Sequence, residues 1–172
     1  MKEKIAQLAK ALKGQLNTDK LRLRLYSTDA SIYQKEPLAV AYPANKDDIK
    51  TLINFARENK IPLIPRTAGT SLAGQCVGEG IVVDVSKHFT NIIEINKEEG
   101  RVKVEPGVVR DILNMELATH GLYFGPNTST RAGISMMEVP KPTTPPTGPA
   151  TRPSSSTSAR SIPVRPAYLP LI

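Results

Sequence analysis

A glycine-rich stretch near the middle of the chain has the residue types that hold an anion through backbone groups. It runs from Pro65 to Gln75, between the β-type runs Ile61 to Ile64 and Ile81 to Val85. Gly69 and Gly74 have no Cβ, so successive backbone N–H groups can converge on a phosphate. The spacing is neither that of a Walker loop nor that of a Rossmann fingerprint. The residues alone leave two interpretations open: a phosphate nest of a third kind, or a connection that only turns the chain.

The side chains of this stretch add to the anion hypothesis. Hydroxyl donors stand at Thr70 and Ser71, and Arg66 carries a positive charge at the end of the preceding β-type run. An arginine in that position neutralises a phosphate or, more often, pairs within the protein. The candidate cofactor-binding residues here are Arg66, Thr67, Ala68, Gly69, Thr70, Ser71 and Leu72.

The flanking pattern predicts a β-α-β unit that positions this loop. Leu38 to Tyr42 reads as a strand, Asn45 as a helix N-cap, Asp47 to Asn59 as a helix and Ile61 to Ile64 as a second strand. Two strands joined through a helix favour a right-handed parallel arrangement. The loop would then leave the carboxyl end of a strand, where ligands of open α/β sheets bind.

The other elements follow from the same periodicities. These periodicities predict a short amphipathic N-terminal helix that packs on its own domain. They also predict a hairpin with one solvent-exposed face and a second helix that ends before Gly121. Leu21, Leu23 and Leu25 alternate with arginines as a strand could, but a Ser-Thr-Asp turn cluster follows directly at residues 27–29. The residues expected to be buried are Ile5, Leu8, Ala9 and Leu12 in the first helix, Ile49, Leu52, Ile53 and Ala56 in the next, and Val109, Ile112, Leu113 and Leu117 in the last.

Charge and composition argue against several function classes. The net charge is +7, but residues 1–130 carry only +3, and residues 131–172 carry the other +4 with Glu138 as their one acidic residue. Without tryptophan and with few aromatic residues, the chain does not favour nucleic-acid binding. Cys76 is the single cysteine, so an internal disulfide is excluded. No run has the length of a membrane span and the start lacks a signal-peptide core, which predicts a cytoplasmic protein.

The last part of the chain differs from the rest. Residues 131–172 contain nine of the 15 prolines and the run Ser154 to Ser158. Such a composition buries too little apolar surface to offset the entropy of ordering, so we expect a disordered, Pro-rich tail. Its Pro142-x-x-Pro145 and Pro146-x-x-Pro149 motifs suit docking to a partner protein.

The loop also resembles the pyrophosphate-binding segment of the FAD-linked oxidase family, whose flavin domain is of the p-cresol methylhydroxylase and vanillyl-alcohol oxidase type. The order of segments is similar to that of the branch with D-lactate dehydrogenases and the FAD subunit of glycolate oxidase. The other matching segments are Tyr26 to Ser31, Leu38 to Pro43, Gly80 to Ser86, Pro106 to Val108 and Phe124 to Thr130.

This resemblance implies an α+β (α/β) fold, an FAD cofactor and a D-2-hydroxy acid substrate for the full-length family. It adds five candidate flavin-contacting residues, namely Gly107, Pro126, Thr128, Ser129 and Thr130. Thr67 stands where the family more often has glycine. The family's next loop, of the Gly-Gly-Met-x-Gly-Asn-Asn type, has no match in the sequence after Thr130, so we expect an incomplete flavin domain. We also expect this chain to lack the C-terminal domain that handles the substrate in the family.

No catalytic residue or metal site can be assigned from the sequence. His88 follows a strand and His120 stands near a helix C-terminus, where a structural explanation suffices. Two function classes remain open. One is the FAD-binding fragment of a flavin-dependent oxidoreductase, inactive alone; the other is a cofactor-free binding or scaffolding protein that acts through its Pro-rich tail.

These patterns divide the chain into three parts: an N-terminal helix and arm at 1–36, a partial FAD-binding domain at 37–130 and the tail at 131–172. The resemblance stops abruptly near Thr130, and acidic residues nearly vanish after it. Both features are expected when codons are read out of register. The tail is therefore either a frameshifted segment of a longer gene or an interaction segment in its own right.

Overall fold

A computed structural model of the chain describes residues 1–126 and 160–161, in which short helices and strands alternate. In chain order these are α1 (Lys2–Ala11), β1 (Gln15–Asn17), α2 (Lys20–Leu25), β2 (Ala39–Tyr42), α3 (Lys46–Asn59), β3 (Leu63–Arg66), β4 (Ile81–Asp84), β5 (Ile92–Asn96), β6 (Arg101–Val104), α4 (Arg110–Ala118), β7 (Leu122–Tyr123) and β8 (Arg160–Ser161). This mixed content confirms the expected α+β class.

The sheet that positions the glycine-rich stretch has four strands in the order β1, β2, β4, β3. Strands β2 and β3 each run parallel to β4, which lies between them, and β1 pairs antiparallel with β2 at the edge. The β2-α3-β3 unit is thus parallel as expected, with β4 inserted into it. Because the three parallel strands share one direction, Tyr42, Arg66 and Asp84 lie at the same edge of the sheet.

Helix α3 begins and ends as the sequence predicts. The Asn45 side chain accepts hydrogen bonds from the N–H groups of Asp47 and Asp48, each at 3.0 Å. Lys60 ends the helix in the left-handed conformation with φ of 54°. Ile61 then donates to the carbonyl of Ala56 and belongs to this cap, so β3 begins at Leu63 and not at Ile61.

The main core lies between the sheet and helices α1 and α3. Ile5 and Leu8 of α1 are buried, which confirms that the N-terminal stripe packs on its own domain. Residues packed with them include Leu12, Ala39, Ala41, Leu52, Ile81 and Val83. A second cluster consists of Val108, Leu113, Leu117 and Leu122. Four residues of the β5-β6 hairpin pack against it, namely Ile92, Ile95, Val102 and Val104.

Two sequence expectations are wrong, and one segment that the sequence left open is assigned by the structure. Ile53 is 50% exposed and Ile112 is 58% exposed, although both were expected to be buried. Ile53 follows the buried Leu52 in α3, and Ile112 precedes the buried Leu113 in α4. Each isoleucine therefore lies on the side of its helix that faces solvent. The Leu21 to Leu25 segment is helix and not strand, because the Asp19 side chain caps it by accepting from the N–H of Arg22.

The described residues also include a short pairing near the end of the chain. Strand β7 pairs in parallel with β8, which places Arg160–Ser161 beside Leu122–Tyr123. The rest of the segment expected to be disordered, like Thr128 to Thr130, lies outside the described residues. Gly121 has φ of 68° after α4, as a helix C′ glycine requires. Among the described helices, none is long and apolar enough to cross a membrane.

Candidate functional site

The glycine-rich connection, here called the anion loop (residues 67–75), leaves β3 at the carboxyl edge of the sheet. Arg66, the last residue of β3, pairs in register with Asp84, the last residue of β4. The loop has no regular secondary structure. Gly69 and Gly74 both have positive φ, 67° and 73°, which explains why glycine stands at these two positions. The sequence therefore placed the loop correctly at a strand end.

The backbone N–H groups of residues 68–72 are the main feature of the anion loop. Within the described part of the chain they take part in no hydrogen bond, whereas the carbonyl of Gly69 accepts from the N–H of Ala30 at 3.2 Å. Gly69, Thr70 and Ser71 are half-buried, where backbone N–H groups are usually paired, whereas Ala68 and Leu72 are exposed. Five successive N–H groups without an internal partner are the donors that an anion nest needs.

The side chains of the anion loop have separate roles. The Ser71 hydroxyl accepts from the N–H groups of Ala73 and Gln75, each at 3.2 Å, and lies 3.1 Å from Oε1 of Gln75. Ser71 therefore holds the loop together. Thr70 makes no hydrogen bond with any described residue, and Leu72 is 82% exposed.

A second segment, Thr28 to Tyr33, supports the loop. The Asp29 carboxylate accepts from the N–H of Ser31 at 2.9 Å and from that of Cys76 at 3.4 Å. Burial alone would raise the pKa of Asp29, but these hydrogen bonds and the charge of Arg66 outweigh it and lower the pKa. A Cβ added at Gly74 would lie 2.7 Å from the Tyr33 ring, so that ring is in close contact with the loop.

Arg66 is held within the protein. Its Nη1 donates to the carbonyl of Thr28 at 2.8 Å, and its guanidinium carbon lies 4.9 Å from the centroid of the Tyr26 ring. A Cβ added at Gly69 would lie 2.5 Å from Nη2 of Arg66. The arginine thus has the internal pairing considered above, and the same pairing places its charge directly beside the anion loop.

Next to Arg66 lies a polar cluster that the sequence did not predict. The Tyr26 hydroxyl lies 2.5 Å from Oδ2 of Asp84 and accepts from the Tyr42 hydroxyl at 3.0 Å. Asp84 also accepts from the N–H and hydroxyl of Ser86 at 2.8 and 2.6 Å. Burial, followed by the hydrogen bond to Asp84, raises the pKa of Tyr26, which keeps this phenol neutral.

The remaining candidate residues lie in two places. Gly107 is buried, its N–H donates to the carbonyl of Phe89 at 2.8 Å, and an added Cβ would lie 2.8 Å from the carbonyl of Val85. It therefore lies against the chain that leaves β4. Pro126 is half-buried at the end of the first described range. Thr128, Ser129 and Thr130 lie outside the described residues, so their relation to the anion loop stays a prediction.

No titratable residue of the described part stands out as a catalytic base. His88 is exposed, and Nε2 of His120 lies 3.8 Å from the Glu116 carboxylate on the same helix. Burial raises the pKa of the Cys76 thiol, so Cys76 is not an activated thiolate. The residues that the structure describes contain no group of three or more metal-ligating side chains.

Comparison with known proteins assigns the class of this site. The family model of the FAD binding domain matches residues 37–137, and the chain belongs to this family. In sequence it is 43% identical over 130 residues to D-2-hydroxyglutarate dehydrogenase of Pseudomonas putida, covering 73% of this chain and 13% of that protein. It is 36% identical over 108 residues to glycolate oxidase subunit GlcD of Bacillus subtilis, covering 62% of this chain and 23% of that protein.

The fold comparison agrees with the family. The structure of p-cresol methylhydroxylase with substrate bound aligns with a TM-score of 0.65 at 17% identity, over 78% of this chain and 27% of that one. An alkyldihydroxyacetonephosphate synthase structure aligns with a TM-score of 0.67 at 16% identity, over 78% and 30%. The chain thus has the fold of a p-cresol methylhydroxylase-type flavin domain. It spans only 11–13% of the D-2-hydroxyglutarate dehydrogenases it matches.

The geometry of the anion loop fits FAD, the cofactor of this domain family. FAD carries a pyrophosphate, and the loop offers five N–H donors, a close backbone approach at Gly69 and a nearby guanidinium. Charge-assisted hydrogen bonds of this kind are about twice as strong as neutral ones. The residues suited to hold the pyrophosphate are those of the loop, from Ala68 to Leu72.

Proposed function

We propose that this chain is the FAD-binding part of a flavin-dependent oxidoreductase that acts on a D-2-hydroxy acid. The observation that carries the proposal is the row of N–H groups at residues 68–72, which have no partner among the described residues and lie at the carboxyl edge of the sheet, inside an FAD binding domain. FAD, when bound, supplies the electron-accepting group of such a reaction. The chain supplies the site that holds its pyrophosphate.

Each part of the site has a role in this proposal. The N–H groups from Ala68 to Leu72 and the Thr70 hydroxyl donate to the pyrophosphate, and Arg66 adds a positive charge beside them. Gly107 allows the chain after β4 to approach closely. Pro126, Thr128, Ser129 and Thr130 form a second flavin-contacting segment, as the family resemblance implies.

The substrate class is inferred from the relatives. The names of the matching proteins refer to D-2-hydroxyglutarate, glycolate and D-lactate, which are all 2-hydroxy acids. Oxidising such a substrate needs a base near its hydroxyl and a cation for its carboxylate. Among the described residues, Arg66 is the cation beside the anion loop and is given above to the pyrophosphate, and no side chain stands out as the base, so we expect the chain to turn over no hydroxy acid by itself. Because the family's next flavin-binding loop has no match after Thr130, we also expect it to bind FAD weakly.

Spectroscopy of the purified chain tests the proposal. An absorbance scan from the near-UV to the blue, after gentle purification and incubation with excess FAD, is expected to show flavin bands that elute with the protein during gel filtration in a buffer that contains FAD. A folded protein that retains no FAD would overturn the proposal and favour the scaffolding alternative, in which the Pro-rich tail binds a partner. Activity assays with D-lactate, glycolate and D-2-hydroxyglutarate are expected to show no turnover.

The tail carries a separate proposal. The family match covers residues 37–137 and does not include residues 138–172. We propose that this segment is read out of register from a longer gene. Sequencing the gene around the Thr130 codon tests this: another open frame that encodes a Gly-Gly-x-x-Gly-Asn-type loop supports it, and the lack of such a frame contradicts it.

A further inference from the structure

The Tyr26 side chain is fixed at its hydroxyl end. Its oxygen lies 2.5 Å from Oδ2 of Asp84 and 3.0 Å from the Tyr42 hydroxyl, and the two tyrosine rings meet edge to face with centroids 6.0 Å apart. Asp84 is 5% exposed. A ring held by a buried carboxylate and by a second aromatic ring has little freedom to turn. Its face is therefore a fixed surface at the carboxyl edge of the sheet.

Arg66 lies on that face. Its guanidinium carbon is 4.9 Å from the Tyr26 ring centroid, within the range of a cation–π contact. A single further hydrogen bond joins its Nη1 to the Thr28 carbonyl. The nearby Asp29 carboxylate already accepts from the N–H groups of Ser31 and Cys76 and makes no hydrogen bond with Arg66 among the described residues. The ring and the Thr28 carbonyl contact the guanidinium directly, and the Asp29 carboxylate attracts it without a hydrogen bond.

The position of the guanidinium matters because of Gly69. A Cβ there would lie 2.5 Å from Nη2 and 2.8 Å from the guanidinium carbon of Arg66. The arginine charge is therefore in contact with the middle of the nest formed by residues 68–72. An anion bound beside Gly69 would therefore be attracted by this charge.

We propose that Tyr26 is a positioning residue of the pyrophosphate site: its ring holds the Arg66 guanidinium against Gly69, so that the arginine charge adds to the field of the backbone N–H groups. This inference rests on the proposed function. Asp84 and Tyr42 act one step further away, because their side chains fix the ring and make no hydrogen bond with the Arg66 side chain or with the loop among the described residues.

Affinity measurements on variants of the full chain test the role of the ring. FAD and ADP are titrated into the wild type, Tyr26→Leu, Tyr26→Phe, Arg66→Gln and the double variant Tyr26→Leu/Arg66→Gln. Tyr26→Leu removes the face and is expected to weaken both ligands about threefold to tenfold. Tyr26→Phe keeps the face, so its affinities are expected to stay within about twofold of the wild type although the variant loses stability. Circular dichroism confirms that each variant is folded.

The double variant separates positioning from a general structural role. If the ring acts through the guanidinium, Tyr26→Leu is expected to change neither affinity once Arg66 is glutamine. Three outcomes would overturn this inference but not the proposed function. Tyr26→Leu could lower the affinity equally with Arg66 and with glutamine at position 66, or Tyr26→Phe could lower it as much as Tyr26→Leu does. Tyr26→Leu could also bind with wild-type affinity. A wild type that binds neither FAD nor ADP would instead overturn the proposed function, and this inference with it.

Discussion

The hydroxyl groups of Thr70 and Ser71 are neighbours in the sequence but differ in their partners. Ser71 accepts two backbone N–H groups of its own loop and contacts Gln75, whereas Thr70 has no hydrogen bond with a described residue. A hydroxyl without an internal partner, beside a row of N–H donors in the same state, is suited to donate to a bound anion. We therefore propose that Thr70 contacts the pyrophosphate, whereas Ser71 holds the shape of the loop.

This difference makes a prediction for Thr70→Val, which removes a hydroxyl while keeping the shape of the side chain. FAD affinity is expected to fall about tenfold, the value of one hydrogen bond to a charged group, and the melting temperature is expected to stay the same. Titration of FAD with flavin fluorescence measures the change. Thr90→Val, an exposed threonine outside the loop, is the matched control and is expected to leave affinity unchanged.

At the residue scale, the sequence revealed the anion loop but not its support. Gly69 and Gly74 could be identified because a positive φ selects glycine locally. Tyr26 and Asp84 could not, because they are 58 residues apart and meet only when β4 is in place. Nothing in either local sequence indicates the contact. A buried aspartate at a strand end is a signal that a partner exists, but the partner is chosen by the fold.

Among the elements, helix α1 contributes to the core that supports the site. Leu8 is 4% exposed and packs in the cluster that includes Leu52 of α3 and Ile81 of β4. Leu8→Ala is expected to lower the free energy of unfolding by about 2–5 kcal/mol, because it leaves a cavity. Leu21→Ala, at a leucine that is 71% exposed, is the control and is expected to cost less than about 0.5 kcal/mol. Equal effects in urea denaturation would contradict the packing of α1.

Near the N-terminus of helix α3, the Asp48 carboxylate makes a contact that depends on pH. Asp48 is 3% exposed and accepts from the N–H groups of Lys13, Gly14 and Ala44 at 2.8–2.9 Å. Burial would raise the pKa of Asp48, but the three hydrogen bonds outweigh it and lower the pKa. This carboxylate ties the residues before β1 to the start of α3.

Because the pKa of Asp48 is lowered in the folded state, its contribution to stability is present above the pKa of the unfolded chain. It is lost as the pH falls below about 4, through the folded pKa. At pH 7, Asp48→Asn is expected to lower the free energy of unfolding by about 1–3 kcal/mol. The difference from the wild type is expected to shrink below pH 4. A difference that is constant from pH 7 to pH 3 would contradict the assignment to an ionised carboxylate.

Element type was predictable where the local signals agreed. Asn45 caps α3 as expected, since an asparagine two or three residues before the acidic first turn satisfies free N–H groups. Helix α2 was missed because Leu21, Leu23 and Leu25 imitate the alternation of a strand, although Asp19 is a cap residue. No residue of α2 is buried, so the alternation of leucine and arginine does not reflect packing against a core. Ile53 and Ile112 show the same limit, because the width of a buried helix face depends on its neighbours.

On the scale of the whole molecule, the parallel strands bring the site together. Their carboxyl ends place Tyr42, Asp84 and Arg66 side by side, and the anion loop extends from this edge. Strand β1 pairs antiparallel with β2 and closes the other side of the sheet. The family match shows that this arrangement belongs to an FAD binding domain. The chain spans only 13% of the D-2-hydroxyglutarate dehydrogenase of Pseudomonas putida, so we propose catalysis for the larger proteins and not for this chain alone.

The most direct test of the account is the dissociation constant of FAD for the full chain compared with two glycine variants. Gly69→Val is expected to abolish measurable binding, because a branched side chain at φ of 67° would crowd both the anion and Arg66. Gly121→Val is the matched control: it has φ of 68°, but nothing lies within 4 Å of an added Cβ. We expect it to lose stability and keep its FAD affinity. Equal FAD affinity in the wild type and Gly69→Val would contradict the assignment of the pyrophosphate to the anion loop.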